Sequence, residues 1–287
     1  MIVDTHTHVF TNDRMTYPQF ADTPRAGTIP SISDIGQEPW PETTAEKLIA
    51  QMDAAGVDKA TLVQAYFVYE YDNRYTVDSA NAYPDRFVSI CALDPAAPES
   101  PDKLSNLVEN AGVKGIRFMR GRLPKCTLGD PETHALWKRI AELKIPLCIH
   151  DKVEELPRVR ALLERYPEIN VAFDHGWGHK VGEPPYPMIK ALFDLAIFPN
   201  AYVKTAINNI VAAREGVGTP QIFYTKLIES FGAHRIMWSS NYPAHPHFGS
   251  IASRLEVAKK ALAFLSSDEQ AWIFGRTALR VWPWLAG

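Results

Sequence analysis

The chain has 287 residues, 46% of them apolar and 22% charged, enough to bury a sizeable core and unlike a disordered chain. A formal net charge of −3 with no basic block argues against nucleic acid as the main partner. No apolar run approaches the roughly 18 residues of a membrane span, the start lacks a signal core, and Cys91, Cys126 and Cys148 are too few and too scattered for a disulfide framework. A cytoplasmic protein without a membrane partner is expected.

The chain opens on Ile2-Val3-Asp4-Thr5-His6-Thr7-His8, a β-branched, alternating stretch that predicts a strand. Alternation would place Ile2, Asp4, His6 and His8 on one face and Val3, Thr5 and Thr7 on the other. Two imidazoles at a strand end can hold a metal ion or an anionic group, although an isolated His-x-His is more often just solvated. Residues 9–42 are rich in Pro, Gly, Asp and Thr, with Phe10, Tyr17, Phe20 and Trp40 among them. So long an irregular stretch reads as a packed functional flap. A helix then starts at Thr43, with Glu46 three residues on as a capping box, and ends at Gly56.

Strands follow at 59–65, 86–92, 113–119, 145–150, 169–174, 201–205 and 235–239. Helices are predicted at 73–83, 101–111, 131–143, 154–165, 185–196, 220–231 and 251–265, with a terminal helix at 268–284. Eight alternating units call for a parallel sheet, and their total length fits a closed barrel better than an open sheet. The fold class is therefore α/β, a distorted (β/α)8 TIM barrel with a long loop after strand 1 and a C-terminal helix, one domain over 1–287.

In such a barrel the C-terminal ends of the strands share one mouth, where active sites lie. His6 and His8, Gln64 and Tyr66, Arg117 with Arg120 and Arg122, His150, Asp174-His175, Lys204-Thr205 and Ser239-Ser240-Asn241 fall at those ends. Four of nine histidines converge there, which scattered surface histidines would not do. His134, His179, His234, His245 and His247 read as loop or helix-face residues. A buried Arg117 needs an acidic partner, either in the protein or in an acidic substrate, and Lys204 stands under the same choice. The substrate option is preferred for both, with Tyr66 and Arg122 as further contacts; a solvated loop suits Arg120 and Arg122 equally well.

Several stretches carry a resemblance. They are Asp4-Thr5-His6-Thr7-His8, Ala55-Gly56-Val57-Asp58-Lys59-Ala60, Pro84-Asp85-Arg86-Phe87-Val88, Gly115-Ile116-Arg117-Phe118, Asp174-His175-Gly176 and Ile273-Phe274-Gly275-Arg276-Thr277-Ala278. Together they resemble the amidohydrolase superfamily, in particular its branch of small-lactone hydrolases that includes 2-pyrone-4,6-dicarboxylate lactonase. The resemblance implies His6, His8 and His175 around a substrate carbonyl and Arg117 on a carboxylate. It also implies an acid after strand eight as general base, where this chain has Asn241 in Ser240-Asn241-Tyr242-Pro243. Asparagine cannot take a proton from water, so His175 becomes the expected base and Asn241 a group that orients water.

His150 could complete a three-imidazole set with His6 and His8 for Zn²⁺ or a similar divalent ion, and relatives differ in whether a metal is used. The expected activity is opening of a small carboxylated lactone or similar cyclic ester. The alternatives are a lactone isomerase, a metal-dependent nonoxidative decarboxylase, or a noncatalytic binder of sugar acids. A homo-oligomer is compatible with the sequence.

Overall fold

The computed structural model describes residues 1–22, 40–119, 128–151, 153–177 and 180–287. Its strands are β1 (Val3–Thr7), β2 (Lys59–Val63), β3 (Phe87–Ala92), β4 (Ile116–Met119), β5 (Leu147–His150), β6 (Val171–Phe173), β7 (Ala201–Thr205) and β8 (Ile236–Trp238). Each pairs in parallel with the next, so the sheet runs in sequence order from β1 to β8. Helices between the strands, among them Ala45–Ala55, Arg74–Ala82, His134–Leu143, Leu156–Arg165 and Pro220–Phe231, pack their apolar faces on its outside. This is the (β/α)8 barrel that the alternation predicts. Among the described residues no helix is long and apolar enough to cross a membrane.

Strands buried on both faces must fill two compartments. Ala60, Leu62, Ile116, Leu147, Val171 and Val203 pack outward under the helices. Val3, Val63, Val88, Ile90, Cys148, Ala172, Tyr202 and Met237 meet in the barrel's interior, where Ala278, Val281, Trp282 and Leu285 of the C-terminal segment join them. That segment is not one continuous helix. It runs as Ser267–Ala271, a π-helical turn Trp272–Arg276, Thr277–Val281 and a closing 3-10 turn Pro283–Ala286. Its apolar side plugs the end of the barrel opposite the strand C-termini.

Simple alternation along β1 does not hold. The register pairs Asp4 with Ala60 and Thr7 with Leu62, so β1 carries one extra residue, a β-bulge. Val3 therefore faces the lumen although His6 does too, and Asp4 turns outward. The bulge separates Asp4 from the two histidines with which alternation had grouped it.

The ring closes between β1 and the residues after β8 through separate bonds. Thr5 Oγ1 donates to the Trp238 carbonyl at 2.8 Å, Ser240 N–H to Asp4 Oδ1 at 2.9 Å, Asn241 N–H to the His6 carbonyl at 3.0 Å, and His8 N–H to the Tyr242 carbonyl at 2.9 Å. Two local expectations shift. The helix Ala45–Ala55 is capped by Thr44, whose side chain accepts from Lys47 N–H, whereas Thr43 pairs with Phe10 in an antiparallel bridge. Between β7 and the helix Pro220–Phe231, where no element is predicted, lies a further helix, Ile207–Ala212.

Candidate active site

Four imidazoles form a chain at the mouth. The ring of His8 lies 4.9 Å from that of His6, His6 4.6 Å from His175, and His175 5.4 Å from His150, measured between centroids. His6 and His175, 169 residues apart in number, are thus in contact. The barrel brings together the histidines that strand-end reasoning had selected.

Below them sits Asp174, without exposed surface. Arg117 Nε donates to its Oδ2 at 2.7 Å, Lys204 Nζ lies 3.2 Å from Oδ1, and His6 Nδ1 lies 3.4 Å from the same oxygen. The acidic partner that Arg117 and Lys204 require is therefore the protein's own Asp174. Lys204 is fully buried, donates to Cys148 Sγ at 3.1 Å and lies 5.1 Å above the Trp282 ring. That places it beneath Asp174 rather than at the mouth. Arg117 keeps slight exposure. Burial alone would raise the Asp174 pKa, but Lys204 and Arg117 outweigh it and hold the carboxyl well below the usual range. Asp174 in turn keeps Lys204 protonated against the pull of burial. Two cations around one carboxylate leave this cluster with a surplus positive charge.

Burial holds His6, His8 and His175 in the neutral form. Burial, reinforced by Arg117, pushes His8 down to about 3. Burial also drives His6 and His175 well below the ordinary imidazole value, against the opposing attraction of Asp174. The His8 tautomer follows from its partner. Nδ1 lies 2.8 Å from the Val63 carbonyl, which can only accept, so Nδ1 carries the proton and Nε2 offers a bare lone pair. His6 Nε2 is buried without a hydrogen-bond partner among the described residues. These nitrogens are poised to accept. With its one proton committed to the Val63 carbonyl, His8 can accept at Nε2 but not donate. Trp40, from the long loop, stacks on His8 with ring centroids 5.4 Å apart.

The loops that carry these groups are tightly specified. His175 and Gly176 both adopt left-handed backbone, with φ 56° and 54°. A Cβ on Gly176 would stand 2.9 Å from Asn209 Nδ2, the group that donates to the His175 carbonyl at 2.7 Å. The Asp-His-Gly sequence thus has a steric reason. Asn241 is buried and left-handed at φ 57°, a region that Asn and Asp tolerate better than most residues. Arg254, from the helix Ile251–Ala261, donates to the carbonyls of Ser240, Asn241, Ala244, His245 and Gly249.

Tyr66 lies just past β2, buried against Phe67 and Tyr71. Its ring meets that of Phe67, which meets Trp40, the residue stacked on His8. Gln64 is occupied structurally, donating to the Glu70 and Asp72 carbonyls and accepting from Thr76. Arg120, Arg122, Cys126 and His179 lie outside the described residues. Asp174 as the charge anchor, Arg254 and Asn209 escaped sequence reading. Only Asp174 had a signal, its place at a strand end beside His175.

The amidohydrolase family model matches residues 3–284. The chain belongs to this family. Among solved structures, this amidohydrolase is similar to a probable 2-pyrone-4,6-dicarboxylic acid hydrolase from Acinetobacter baumannii with citric acid bound, at 20% identity and TM-score 0.76, covering 98% of this chain and 99% of that one. An amidohydrolase from Burkholderia multivorans with bound zinc gives 16% identity and TM-score 0.70, covering 99% of each chain. A 2,6-dihydroxybenzoate decarboxylase from Rhizobium gives 15% identity and TM-score 0.66, covering 100% and 99%. At these identities the likenesses show the fold. No curated protein matches the chain.

Whether this amidohydrolase suits a divalent metal can be judged from its donors. His8, with Nδ1 on a carbonyl, and His6, with Nδ1 toward a carboxylate, have the outer contacts that metal-bound histidines have. Among the described residues a third donor is not in place. His150 packs on His175, Asp174 is held by two cations, and no group of three His, Cys, Asp or Glu among the described residues could hold an ion. The set His6, His8 and His150 expected from the sequence is not assembled, and the fixed charges of Arg117 and Lys204 oppose a further cation. Among the described residues no complete metal site is formed.

Proposed function

We propose that this amidohydrolase opens a small carboxylated lactone or similar cyclic ester by adding water. The observation that supports this most is the pairing of neutral, acceptor-ready imidazoles at the mouth with the positively charged Asp174–Arg117–Lys204 cluster beneath them. Ester opening needs a base for water and positive potential for the oxygen that becomes anionic. His175, kept neutral by burial, takes the proton from water. Asn241 orients that water. His6 and His8 accept hydrogen bonds through their bare Nε2 atoms. Arg117, the cation of the cluster nearest the mouth, holds the substrate carboxylate, and the surplus charge behind it stabilises the developing oxyanion. The structural likeness to a probable 2-pyrone-4,6-dicarboxylic acid hydrolase supports this substrate class.

Asn241 favours one second reading. Without an acid there, a substrate hydroxyl can attack the carbonyl and shift the ring, making the enzyme a lactone isomerase. A panel of carboxylated lactones scored by product mass decides between them: hydrolysis adds one water, isomerisation adds none, and decarboxylation removes carbon dioxide. His175→Ala should lower hydrolysis by about 10²–10⁴-fold. Unchanged turnover in that variant would remove His175 as the base.

A further inference from the structure

We propose that Asp4 and Arg254 are positioning residues that hold Asn241 in register with His6 and His8 across the closing seam of the barrel. The inference rests on reading those three residues as parts of the active site. Elsewhere in the ring, paired strands fix one another's position through regular ladders. At the seam the backbone contributes one parallel bridge, Thr7 with Tyr242, and individual side chains supply the rest. Asp4 Oδ1 accepts the N–H of Ser240 at 2.9 Å and the N–H of His6 at 3.2 Å, so one oxygen ties the two sides together. The backbone of Asn241 then meets the His6 carbonyl, and His8 meets the Tyr242 carbonyl.

Arg254 holds the far side of that junction. The residue is 1% exposed, and its guanidinium donates to five carbonyls between Ser240 and Gly249, at 2.8–3.2 Å. That segment contains two left-handed residues other than glycine, Asn241 and His245. Such conformations persist only where the surroundings impose them. A planar fork with five N–H groups can do this for several carbonyls at once, and an ammonium cannot. Asp4 and Arg254 touch neither lumen nor mouth. Their effect on the site passes through the backbone of His6 and of the segment from Ser240 to Gly249.

Amide hydrogen exchange on the full-length chain tests the assignment. In Asp4→Ala and Arg254→Lys, the amides of His8 and Asn241 should exchange roughly tenfold faster or more, as expected on losing hydrogen bonds to a charged group. The amides of Leu147 and Val171, on the opposite side of the barrel, should keep their wild-type rates. Asp4→Asn retains the oxygen acceptor and should restore slow exchange at the seam. The proposal is overturned if seam rates stay at the wild-type value. It is equally overturned if they rise no more than those of Leu147 and Val171, or if Asp4→Asn exchanges as fast as Asp4→Ala. Lactone turnover does not enter this readout, so failure of the lactone panel and failure of the exchange experiment are told apart.

Discussion

A carboxylate with no exposed surface, set between an arginine and a fully buried lysine, is costly to disturb from one side only. Asp174→Ala would leave Arg117 and Lys204 as unpaired charges in the lumen, and should lower unfolding stability by about 3–5 kcal/mol in a urea titration. Lys204→Met leaves a balanced Asp174–Arg117 pair and a stem of similar length, so its cost should be clearly smaller. Equal losses in the two variants would mean that charge balance is not what the cluster supplies. Asn241 offers a second test at this scale. Aspartate tolerates the same left-handed backbone, so Asn241→Asp adds a carboxylate to the residue whose N–H bonds the His6 carbonyl, without rebuilding the loop. Zinc content by elemental analysis should rise in that variant over wild type, and no rise would count against any latent metal role for the two bare imidazoles. What could be read from the sequence here was whatever lay contiguously at a strand end: His-x-His, Asp-His-Gly, Ser-Asn-Tyr-Pro. The Arg117–Asp174 pair spans 57 residues, and Arg254 works through carbonyls that every residue has, so neither leaves a mark in the pattern.

At the level of elements, the eight strands were legible because each is short and a helical period follows before the next, and every one appears where that pattern put it. Details set by a single residue were not. Thr43 and Thr44 are equivalent as letters, and only the bridge between Phe10 and Thr43 decides that Thr44 becomes the cap. Thr44→Ala should cost about 1 kcal/mol, with Thr44→Asp restoring most of it. The bulge in β1 is equally silent in an alternating sequence, yet it aims His6 and His8 into the lumen while Asp4 faces the seam. The C-terminal segment was expected as one helix but bends through a π-turn, which lets Trp282 reach the interior. Trp282→Ala should cost about 3–5 kcal/mol, read from the urea midpoint, because the cavity would open where the barrel is plugged.

For the molecule as a whole, pH exposes the balance among these buried groups. His6, His8 and His175 have folded values below that of a free imidazole. Between the folded and unfolded values the unfolded chain binds more protons, so stability falls as pH drops below about 6.5. For His8, which goes down to about 3, the loss reaches on the order of 3 kcal/mol near pH 4. Asp4 has the opposite sign: burial raises it to about 6, so between that value and the usual carboxylate range the folded state holds the extra proton and gains stability on acidification. One raised carboxylate offsets roughly one histidine, and two remain. Asp174, held low, adds its own loss below the ordinary aspartate value of about 4. The urea midpoint should therefore be level from pH 7 to 9, decline from pH 6.5 downward, and keep declining below pH 4. Asp4→Asn removes the one opposing contribution, so its decline between pH 6 and 4 should be steeper than that of wild type. A midpoint that held steady from pH 7 to 5 would mean that these imidazoles are not held neutral, and the base assigned to His175 would go with them.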